Sequence, residues 1–516
     1  MSELMQAGAG SAGATPAAGG SGGSAGATPA AGGDILQRIV AARREMLALQ
    51  GPEQGESVPA EREVPLVEFG REPFVICEIK RRSPSRGQIA AGADPVMQAA
   101  KYVSRNVQSI SVLTEPNFFG GSLKDLMRVK RQYPGISVLR KDFLLNIEDI
   151  DVSWRAGADA VLLIASVLTP DNLAAMHARA YELGMQALVE LHSLEELEQM
   201  RSLAPPLVGV NSRDLRTFTI DPLIPLSLRR HADWPSRWVF ESGIFAREHA
   251  TLAAASGFAG VLVGEAVMQR PERIAGIQAG LADGAAGAAQ PLPGAAQPNA
   301  VPTAGFWQRI AAARGPRPLV KICGLTWPED VRLADDAGAD ILGFVFAESP
   351  RRADPRMVAA LAPTRALKVA VVVNTLPEDV ARLLADGHID AVQFSGDEDP
   401  ESCYTMAFPY YKAVRLATKG DIGQMSRFFS PRVLVDARSE TAEYGGSGQQ
   451  ISPEVLAEIK GPLWLAGGLN PENVGELVRR FKPELVDVSS GLEAHAGKKD
   501  PRKIYAFIQE VRSAVV

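Results

Sequence analysis

Glu78 and Lys80 stand two residues apart at the end of the apolar run Phe74–Lys80, and the turn-forming sequence SPSRG follows them. At the strand period of two, both side chains point to the same side of the strand. A carboxylate and an ammonium that leave one strand end together suit an active-site loop. A surface salt bridge is an equally simple interpretation of this segment alone.

Several later apolar runs in the first half of the chain also end in polar side chains. These are Lys141, Asp142, Glu190, Asn211, Arg213, Glu241 and Ser242. One charged strand end is usually solvated or paired, but several on one rim are harder to explain as structure alone. Lysines and carboxylates brought together shift each other's pKa values, as general acid–base catalysis requires. The turns ESG (241–243) and VGE (263–265) add backbone N–H groups that can hold a phosphate.

The second half opens with KICG at 321–324, where Lys321 and Cys323 share one strand face. A nearby ammonium is expected to stabilise the thiolate and make Cys323 a usable base. A lone cysteine in an apolar strand is more often a core residue. Asp436, which ends the run RVLV, is a candidate acid on the opposite wall. The segments AGGLNPENV (466–474) and DVSSGLE (487–493) carry glycines and serines that could cradle a phosphate.

The elements that must position these residues are short Val/Ile/Leu-rich runs alternating with amphipathic segments, which is typical of βα units around a parallel sheet. The first eight runs are Phe74–Lys80, Ser109–Glu115, Ser137–Phe143, Asp159–Ala165, Gln186–Leu191, Pro206–Ser212, Trp238–Gly243 and Gly260–Glu265. The next eight are Pro318–Gly324, Asp340–Phe346, Leu367–Val373, Ala391–Gly396, Tyr410–Arg415, Arg432–Ala437, Leu463–Gly468 and Leu485–Gly491. The pattern predicts an α/β protein of two tandem (β/α)8 TIM barrels, with an extra helix at Asp34–Gln50 before the first barrel strand.

Two low-complexity stretches mark the domain boundaries. Residues 1–33 are almost entirely Ala, Gly, Ser, Thr and Pro and are predicted to be a disordered tail. The repeat GAAQP falls in a second such stretch, which predicts a flexible linker over residues 281–316 that leaves the orientation of the domains open. The barrels are accordingly assigned to residues 34–280 and 317–516.

The composition favours a small-molecule partner. The net charge of −6, with both signs mixed, indicates neither nucleic-acid nor membrane binding. Three cysteines without CxxC spacing favour a reducing compartment, and the sequence shows no secretory signal, so a cytoplasmic monomer is expected. The six histidines are scattered without ligand spacing, so the sequence pattern indicates no histidine metal site.

The strand-end motifs of the first half resemble those of indole-3-glycerol-phosphate synthase. The matching segments are CEIKRRSPSRG, SVLTEPNFFGGS, VLRKDFLLN, ALVELHSLEEL, VGVNSRDL and FESGIFA. The resemblance implies ring closure of 1-(2-carboxyphenylamino)-1-deoxyribulose 5-phosphate, with loss of carbon dioxide and water, to give indole-3-glycerol phosphate.

The same resemblance implies roles for individual residues. Lys141 matches the general acid that protonates the substrate ketone, and Glu190 matches the carboxylate of the later proton transfers. Lys80 would hold the substrate carboxylate. The orienting residues would be Glu78, Asn211, Glu241 and Ser242. The substrate- or phosphate-contacting positions would be Ser83, Arg213, Gly243, Gly264 and Glu265, although a serine is common at the last of these.

The second half is similar to phosphoribosylanthranilate isomerase. The matching segments are KICGLT, SPR, VDARSETAEYGGSGQ, LAGGLNPENV and DVSSGLEAHAGKKD. The resemblance implies an Amadori rearrangement of N-(5-phosphoribosyl)anthranilate, with Asp436 as the acid that opens the ribose ring, Cys323 as the base at C2 and Arg351 against the anthranilate. The phosphate would lie against Gly467, Gly468, Ser489, Ser490 and Gly491. One position departs from the family, because Ser395 stands where histidine is usual.

The isomerase product is the synthase substrate, and the tandem order resembles bifunctional enzymes of tryptophan biosynthesis. The resemblance implies that neither half needs a metal or an organic cofactor. Three alternatives stay open. The isomerase barrel could be a vestigial or regulatory binding module, with Ser395 as the sign of it. Both barrels could be phosphosugar enzymes of another pathway, since this fold hosts many chemistries. A non-enzymatic scaffold is the third, although an interaction surface has no need of charged groups at successive strand ends.

Overall fold

The computed structural model describes most of the chain. The described residues are 35–71, 74–84, 87–89, 92–216, 219–289, 303–403, 408–428, 430–438 and 449–515. The predicted tail and the middle of the predicted linker, residues 290–302, lie outside the described residues.

Eight parallel strands close into the first barrel. They are β1 Phe74–Ile79, β2 Ser109–Leu113, β3 Ser137–Lys141, β4 Ala160–Ile164, β5 Gln186–Leu191, β6 Leu207–Asn211, β7 Arg237–Glu241 and β8 Gly260–Val263. Each strand pairs with its sequence neighbours. The ring closes where β1 pairs with β8 in the register Phe74↔Gly260.

The second barrel repeats this topology with eight more parallel strands. They are β9 Leu319–Ile322, β10 Ile341–Val345, β11 Leu367–Val372, β12 Ala391–Phe394, β13 Tyr410–Leu416, β14 Val433–Ala437, β15 Trp464–Leu465 and β16 Leu485–Val488. The predicted pair of tandem barrels is therefore confirmed. Strand β15 is shorter than its predicted run, because Gly467 and Gly468 adopt φ of +94° and +61° and turn the chain out of the sheet.

Helices cover the outside of both barrels. In the first half they are α1 Ile35–Gln50, α2 Pro95–Val103, α3 Leu123–Gln132, α4 Ile147–Ala156, α5 Pro170–Glu182, α6 Leu194–Met200, α7 Leu223–Arg229, α8 Arg247–Ala255, α9 Glu265–Gln269 and α10 Arg273–Ala289. In the second half they are α11 Thr303–Ala313, α12 Pro328–Ala337, α13 Pro355–Ala359, α14 Glu378–Ala385, α15 Pro400–Cys403, α16 Pro453–Leu456, α17 Val474–Phe481 and α18 Pro501–Ser513. None of the helices in the described part of the chain is both long and apolar enough to cross a bilayer.

Residues alternate between the two faces of each barrel strand. In β1, Val75, Cys77 and Ile79 join the core between the strands and the helices. Phe74 and Ile76 belong to a separate cluster that fills the barrel interior. Glu78 continues this inner series at the period of two, so the pleat of the strand aims its carboxylate into the mouth of the barrel.

Both ends of the predicted linker are helical, since α10 continues to Ala289 and α11 begins at Thr303. Helix α11 contacts both barrels. Its Gln308 amide donates to the carbonyl oxygen of Ala255 in the first barrel, at 3.0 Å. Its Phe306 ring stacks on Tyr411, near the amino end of a second-barrel strand, with centroids 6.3 Å apart. These contacts hold one barrel against the other, which differs from the tether of open orientation that composition indicated.

Candidate active sites

A complete ring of strand-end residues lines the mouth of the first barrel. One inward-facing residue from each strand contributes, and the eight are Glu78, Leu113, Lys141, Ile164, Glu190, Asn211, Glu241 and Gly264. Several of them lie two residues beyond an apolar interior residue on the same strand, as Lys141 lies beyond Leu139 and Glu190 beyond Leu188. The polar residues of the ring thus form one layer above an apolar layer, as the barrel pleat dictates.

Lys141 is held between two carboxylates. Its Nζ lies 3.0 Å from Glu190 Oε2 and 3.0 Å from Glu241 Oε2. Burial alone would lower the pKa of Lys141, but the two carboxylates outweigh it and raise the pKa above its ordinary value. The ammonium therefore stays protonated and can donate a proton to a substrate oxygen that displaces a carboxylate.

The two carboxylates differ in ionisation although they share one lysine. Burial would raise the pKa of Glu190, but Lys141 and the neighbouring His192 hold it below the usual range. Burial, with the charge of Glu190 beside it, raises the pKa of Glu241 to about 8. Two carboxylates whose environments separate their pKa values can act as an ionised base and a proton reservoir in one site.

The pair that opened the sequence analysis forms a second ion pair in the same mouth. Lys80 Nζ lies 2.6 Å from Glu78 Oε1. Burial opposes ionisation of Glu78, but Lys80 and Lys141 together lower the pKa of its carboxyl group. Gly264 makes room for this pair, because a Cβ at that position would lie 2.5 Å from the Glu78 oxygen and 3.0 Å from Lys80 Nζ.

The remaining predicted residues of the first half line the same cavity: Ser83, Arg213, Ser242, Gly243 and Glu265. The Asn211 side-chain oxygen accepts a hydrogen bond from the backbone N–H of Arg213 at 3.0 Å. Ser242 and Gly243 both adopt positive φ, +64° and +75°. A serine in this conformation is strained, and such strain concentrates where backbone groups are aimed at a ligand.

His192 contacts Glu190 of the site, although the strand-end pattern in the sequence did not predict this residue. Its Nε2 lies 3.2 Å from Glu190 Oε1, and Glu196 flanks the other ring nitrogen at 3.4 Å. Burial would lower the pKa of His192, but the two glutamates raise it to about 10. His192 follows Glu190 by two residues, so the same period could have placed it on the inner face.

Asp142, also noted at the end of the third strand, stabilises the barrel scaffold through hydrogen bonds to its neighbours. Its Oδ2 accepts from Thr114 at 2.7 Å and from Arg140 at 3.0 Å. Burial opposes its ionisation, but Arg43 of α1 and Arg140 lower its pKa to about 2. This network fixes the strand end that carries Lys141 and ties α1 to it.

The second barrel opens into a cavity of about 650 Å³. The predicted residues that line it are Cys323, Arg351, Asp436, Gly467, Gly468, Ser489 and Ser490. Ser395 lines it too, and its hydroxyl accepts a hydrogen bond from the Gln393 amide at 3.0 Å. Gly491 packs instead against the backbone of Leu469, where an added Cβ would lie 2.0 Å from the carbonyl oxygen.

Lys321 was expected to stabilise the Cys323 thiolate and so to lower the pKa of Cys323. That expectation is wrong, because the net shift of this pKa is upward. The Lys321 ammonium lies 2.6 Å from Asp487 Oδ2 and donates to the Gln393 side-chain oxygen at 2.9 Å. Burial raises the pKa of the Cys323 thiol, and the lowering effect of Lys321 is too small to reverse it, partly because Asp487 raises it further. The carboxylate on the last strand had no local signal in KICG.

Asp436 lies on β14 with its Oδ1 accepting from the backbone N–H of Ala437 at 2.8 Å. Burial raises the pKa of this carboxyl to about 6, with Asp487 adding to the rise. A carboxyl group that keeps its proton up to about pH 6 can act as a general acid in that range. Gly467 leaves room for it, since a Cβ there would lie 2.9 Å from Asp436 Oδ1.

Arg351 is already oriented by a bidentate ion pair. Its Nε and Nη2 lie 2.7 and 2.9 Å from the two carboxylate oxygens of Glu493. Burial would raise the pKa of Glu493, but Arg351 and Lys499 hold it below the usual value. A guanidinium fixed in this way presents a flat, charged face to the cavity.

No group of three or more His, Cys, Asp or Glu side chains within the described ranges is arranged to hold a metal ion.

Two family models match the chain in tandem. The first is indole-3-glycerol phosphate synthase over residues 36–279, and the second is N-(5'phosphoribosyl)anthranilate (PRA) isomerase over residues 320–510.

Some curated relatives match most of the chain and others match its second half. A multifunctional tryptophan biosynthesis protein of Phycomyces blakesleeanus is 30% identical over an alignment of 501 positions, which covers 86% of this chain and 63% of that protein. The chain thus spans about three fifths of the length of this relative. The N-(5'-phosphoribosyl)anthranilate isomerase of Neisseria gonorrhoeae is 46% identical over 194 residues, 36% of this chain and 93% of that protein.

A solved structure is similar to the second half as well. Phosphoribosyl anthranilate isomerase from Thermotoga maritima is 35% identical in sequence, with a TM-score of 0.34. The matched region covers 38% of this chain and 99% of the isomerase chain. Taken together, the tandem family matches and the near-complete isomerase relatives show that the chain belongs to the phosphoribosylanthranilate isomerase family through its second barrel and carries an indole-3-glycerol phosphate synthase domain as its first.

Proposed function

We propose that the chain catalyses two consecutive steps of tryptophan biosynthesis as a cytoplasmic monomer. The second barrel isomerises N-(5-phosphoribosyl)anthranilate to 1-(2-carboxyphenylamino)-1-deoxyribulose 5-phosphate. The first barrel closes and decarboxylates this product to indole-3-glycerol phosphate. The relatives named as multifunctional tryptophan biosynthesis proteins support the pairing of both activities on one chain.

In the isomerase step, Asp436 gives its proton to the ribose ring oxygen, and the C1–O bond breaks to leave an iminium. Cys323 then takes the C2 proton, and the resulting enol relaxes to the ketone without net loss of atoms. The raised pKa of Asp436 supports the first role. Cys323 shares the cavity with it, on a strand near the opposite side of the ring.

The raised pKa of Cys323 shapes the second role. Because the thiol is neutral before reaction, the iminium itself must drive deprotonation. Once the ring opens, a positive charge develops beside the sulfur and favours the thiolate. This order, ring opening before thiol ionisation, follows from the burial of Cys323.

In the synthase step, the aromatic carbon attacks the ketone carbon while Lys141 protonates the ketone oxygen. Carbon dioxide then leaves from the same aromatic carbon, which restores the aromatic ring, and the former ketone oxygen leaves as water when the new double bond forms, with Glu190 handling the later proton transfers. Lys80 holds the substrate carboxylate before it is lost. The backbone of Gly243 and Gly264, with Ser83, would hold the phosphate on the other side of the mouth.

The observation that carries this proposal is the position of Lys141, 3.0 Å from both Glu190 and Glu241 at the centre of a closed ring of strand ends. A protonated amine between one ionised and one protonated carboxyl group is the arrangement that alternating proton transfers need.

The test supplies phosphoribosylanthranilate to the purified chain and follows both products with time. Wild-type protein should form indole-3-glycerol phosphate. Lys141→Ala should accumulate the deoxyribulose intermediate. Lys124→Ala, which removes an exposed lysine from α3, serves as the matched control and should behave as wild type. Indole-3-glycerol phosphate formed at the wild-type rate by Lys141→Ala would refute the assignment.

The same assay separates the vestigial-module alternative. If the second barrel only binds, phosphoribosylanthranilate will not be consumed, although added deoxyribulose intermediate will still be converted. The shared cavity of Cys323, Asp436 and Arg351 favours turnover over binding alone.

A further inference from the structure

A buried cluster of four charges joins the second barrel to a loop of the first. Asp221 comes from the first barrel, Arg314 from just after α11, and Arg432 and Glu484 from the second barrel. Asp221 Oδ1 accepts from Arg432 at 2.8 Å, and Oδ2 accepts from Arg314 at 2.8 Å. Arg432 and Arg314 also lie 2.5 and 2.7 Å from Glu484.

The central pair of the cluster is shielded from solvent, because the side chains of Arg432 and Asp221 are 3% and 11% exposed. Glu484 and Arg314 lie at its edge and are 15% and 25% exposed. Burial would raise the pKa of Asp221, but Arg432 and Arg314 lower it. Removing one partner of a buried pair leaves an uncompensated charge, so the loop would have to move or take up water when an arginine is lost.

Asp221 closes the loop that follows β6, the strand that carries Asn211. The backbone N–H of Asp221 donates to the Ser212 carbonyl oxygen at 2.7 Å. Arg213 and Ile220 form an antiparallel bridge inside this closure. The position of Asp221 therefore sets the path of the chain through Ser212 and Arg213, which leads directly into the synthase cavity.

The loop also supports the ESG turn on the neighbouring strand. An added Cβ on Gly243 would lie 3.2 Å from both Ile220 Cγ2 and Ser212 Oγ. Residues next to Asp221 thus contact the turn that faces the proposed phosphate. A shift of the loop would therefore move both Arg213 and the ESG turn, which lie at the proposed phosphate end of the site.

We propose that Arg432 of the second barrel is a positioning residue for the synthase reaction. With Arg314, it holds Asp221 and thereby fixes the loop that presents Arg213 and supports Gly243. This inference rests on the proposed function of the first barrel. It makes the complete synthase site dependent on a side chain from the isomerase barrel.

Arg432 lies at the opposite end of β14 from Asp436, which provides an internal control. It immediately precedes β14, whereas Asp436 is the fourth residue of that strand. At the strand rise this separates the two by about 13 Å, at opposite ends of the barrel. Loss of the arginine should therefore leave isomerase turnover unchanged.

The experiment compares Arg432→Gln with wild type in the full chain, measuring both half-reactions separately. The synthase KM for the deoxyribulose intermediate should rise by about three- to thirtyfold, as expected for a residue that acts through another, with kcat changed much less. Isomerase kcat/KM should stay within about twofold. Arg432→Lys should restore part of the KM, because an ammonium can still reach Asp221.

Two further variants keep the result unambiguous. Asp221→Asn combined with Arg432→Gln should be no worse than the poorer single variant, since both break one contact. Arg382→Gln, which removes a 70% exposed arginine on α14, is the matched control.

An unchanged synthase KM in Arg432→Gln, with wild-type turnover, overturns the inference alone. Equal losses of both activities would also overturn it, because they would indicate a general loss of folding. A wild-type chain without synthase turnover overturns the proposed function and the inference with it.

Discussion

Gly209 offers a test of the Lys141 cluster that removes none of its ionisable groups and changes only the position of one of them. It lies on the inner face of β6, next to the strand that carries Glu241. A Cβ added there would lie 2.1 Å from Glu241 Oε1 and 3.3 Å from Leu188 Cδ1. The first distance is impossible for real atoms, so Gly209→Ala must displace the end of the Glu241 side chain.

The magnitude follows from the contact that is lost. Glu241 Oε2 lies 3.0 Å from Lys141 Nζ, and a hydrogen bond to a charged group such as this ammonium contributes about 1.5–3 kcal/mol. At about 1.4 kcal/mol per factor of ten, synthase kcat/KM should fall about ten- to hundredfold. The fold should tolerate the change, because the displaced atom is the free end of a flexible side chain.

The assay measures both half-reactions and thermal unfolding of the same preparation. Isomerase turnover should match wild type. Gly135→Ala is the matched control, because its Cβ would meet no atom within 4 Å, and it should leave synthase turnover unchanged. A folded Gly209→Ala protein with wild-type synthase kcat/KM would show that the position of Glu241 does not matter to the reaction.

Three other predictions concern the second barrel. Cys323→Ser should lower isomerase turnover by at least about a hundredfold, the usual contribution of a positioned base, and should keep synthase turnover. Substitution of the second buried cysteine, Cys403→Ser, is the control and should retain both activities. Isomerase turnover at the wild-type rate in Cys323→Ser would exclude the sulfur as base. Isomerase kcat/KM should fall as the pH rises through about 6, because Asp436 must be protonated to donate. The pKa of Asp436 in the folded protein is raised above the ordinary 3.8, so ionisation of this carboxyl group opposes folding. The free energy of unfolding of the wild type therefore decreases as the pH rises from about 3.8 through about 6. Asp436→Asn should therefore gain melting temperature over wild type at pH 8 but not at pH 4, and an equal gain at both would contradict the assignment.

Much of the first site was predictable because it depends on local periodicity. A parallel barrel places residues two positions past an apolar interior residue at one mouth, so Glu78, Lys141, Glu190 and Glu241 converge whatever the loops do. His192 obeys the same rule and was missed only because it lies beyond the strand end.

Long-range partners were not predictable in this way. Asp487 pairs with Lys321 from a strand 166 positions away in sequence. Burial first, and the charge of Asp487 in addition, raise the pKa of Cys323 despite the lowering effect of Lys321. The helical content of the predicted linker was hidden by its Ala-rich composition, which suits helices and disorder alike. Helix α11 packs against the second barrel through Phe306 and Trp307, whose aromatic partners there are Tyr411 and Trp464.

The position of α11 affects how the intermediate passes from the isomerase site to the synthase site. The helix blocks the amino ends of the second-barrel strands and rests on α7 and α8 of the first barrel, so the isomerase mouth opens away from its neighbour. Under the proposed function, each molecule of intermediate must escape into bulk water and find the other mouth by diffusion. A competing enzyme or scavenger in solution could therefore intercept it, and the steady-state pool of free intermediate would be set by how tightly the synthase captures it.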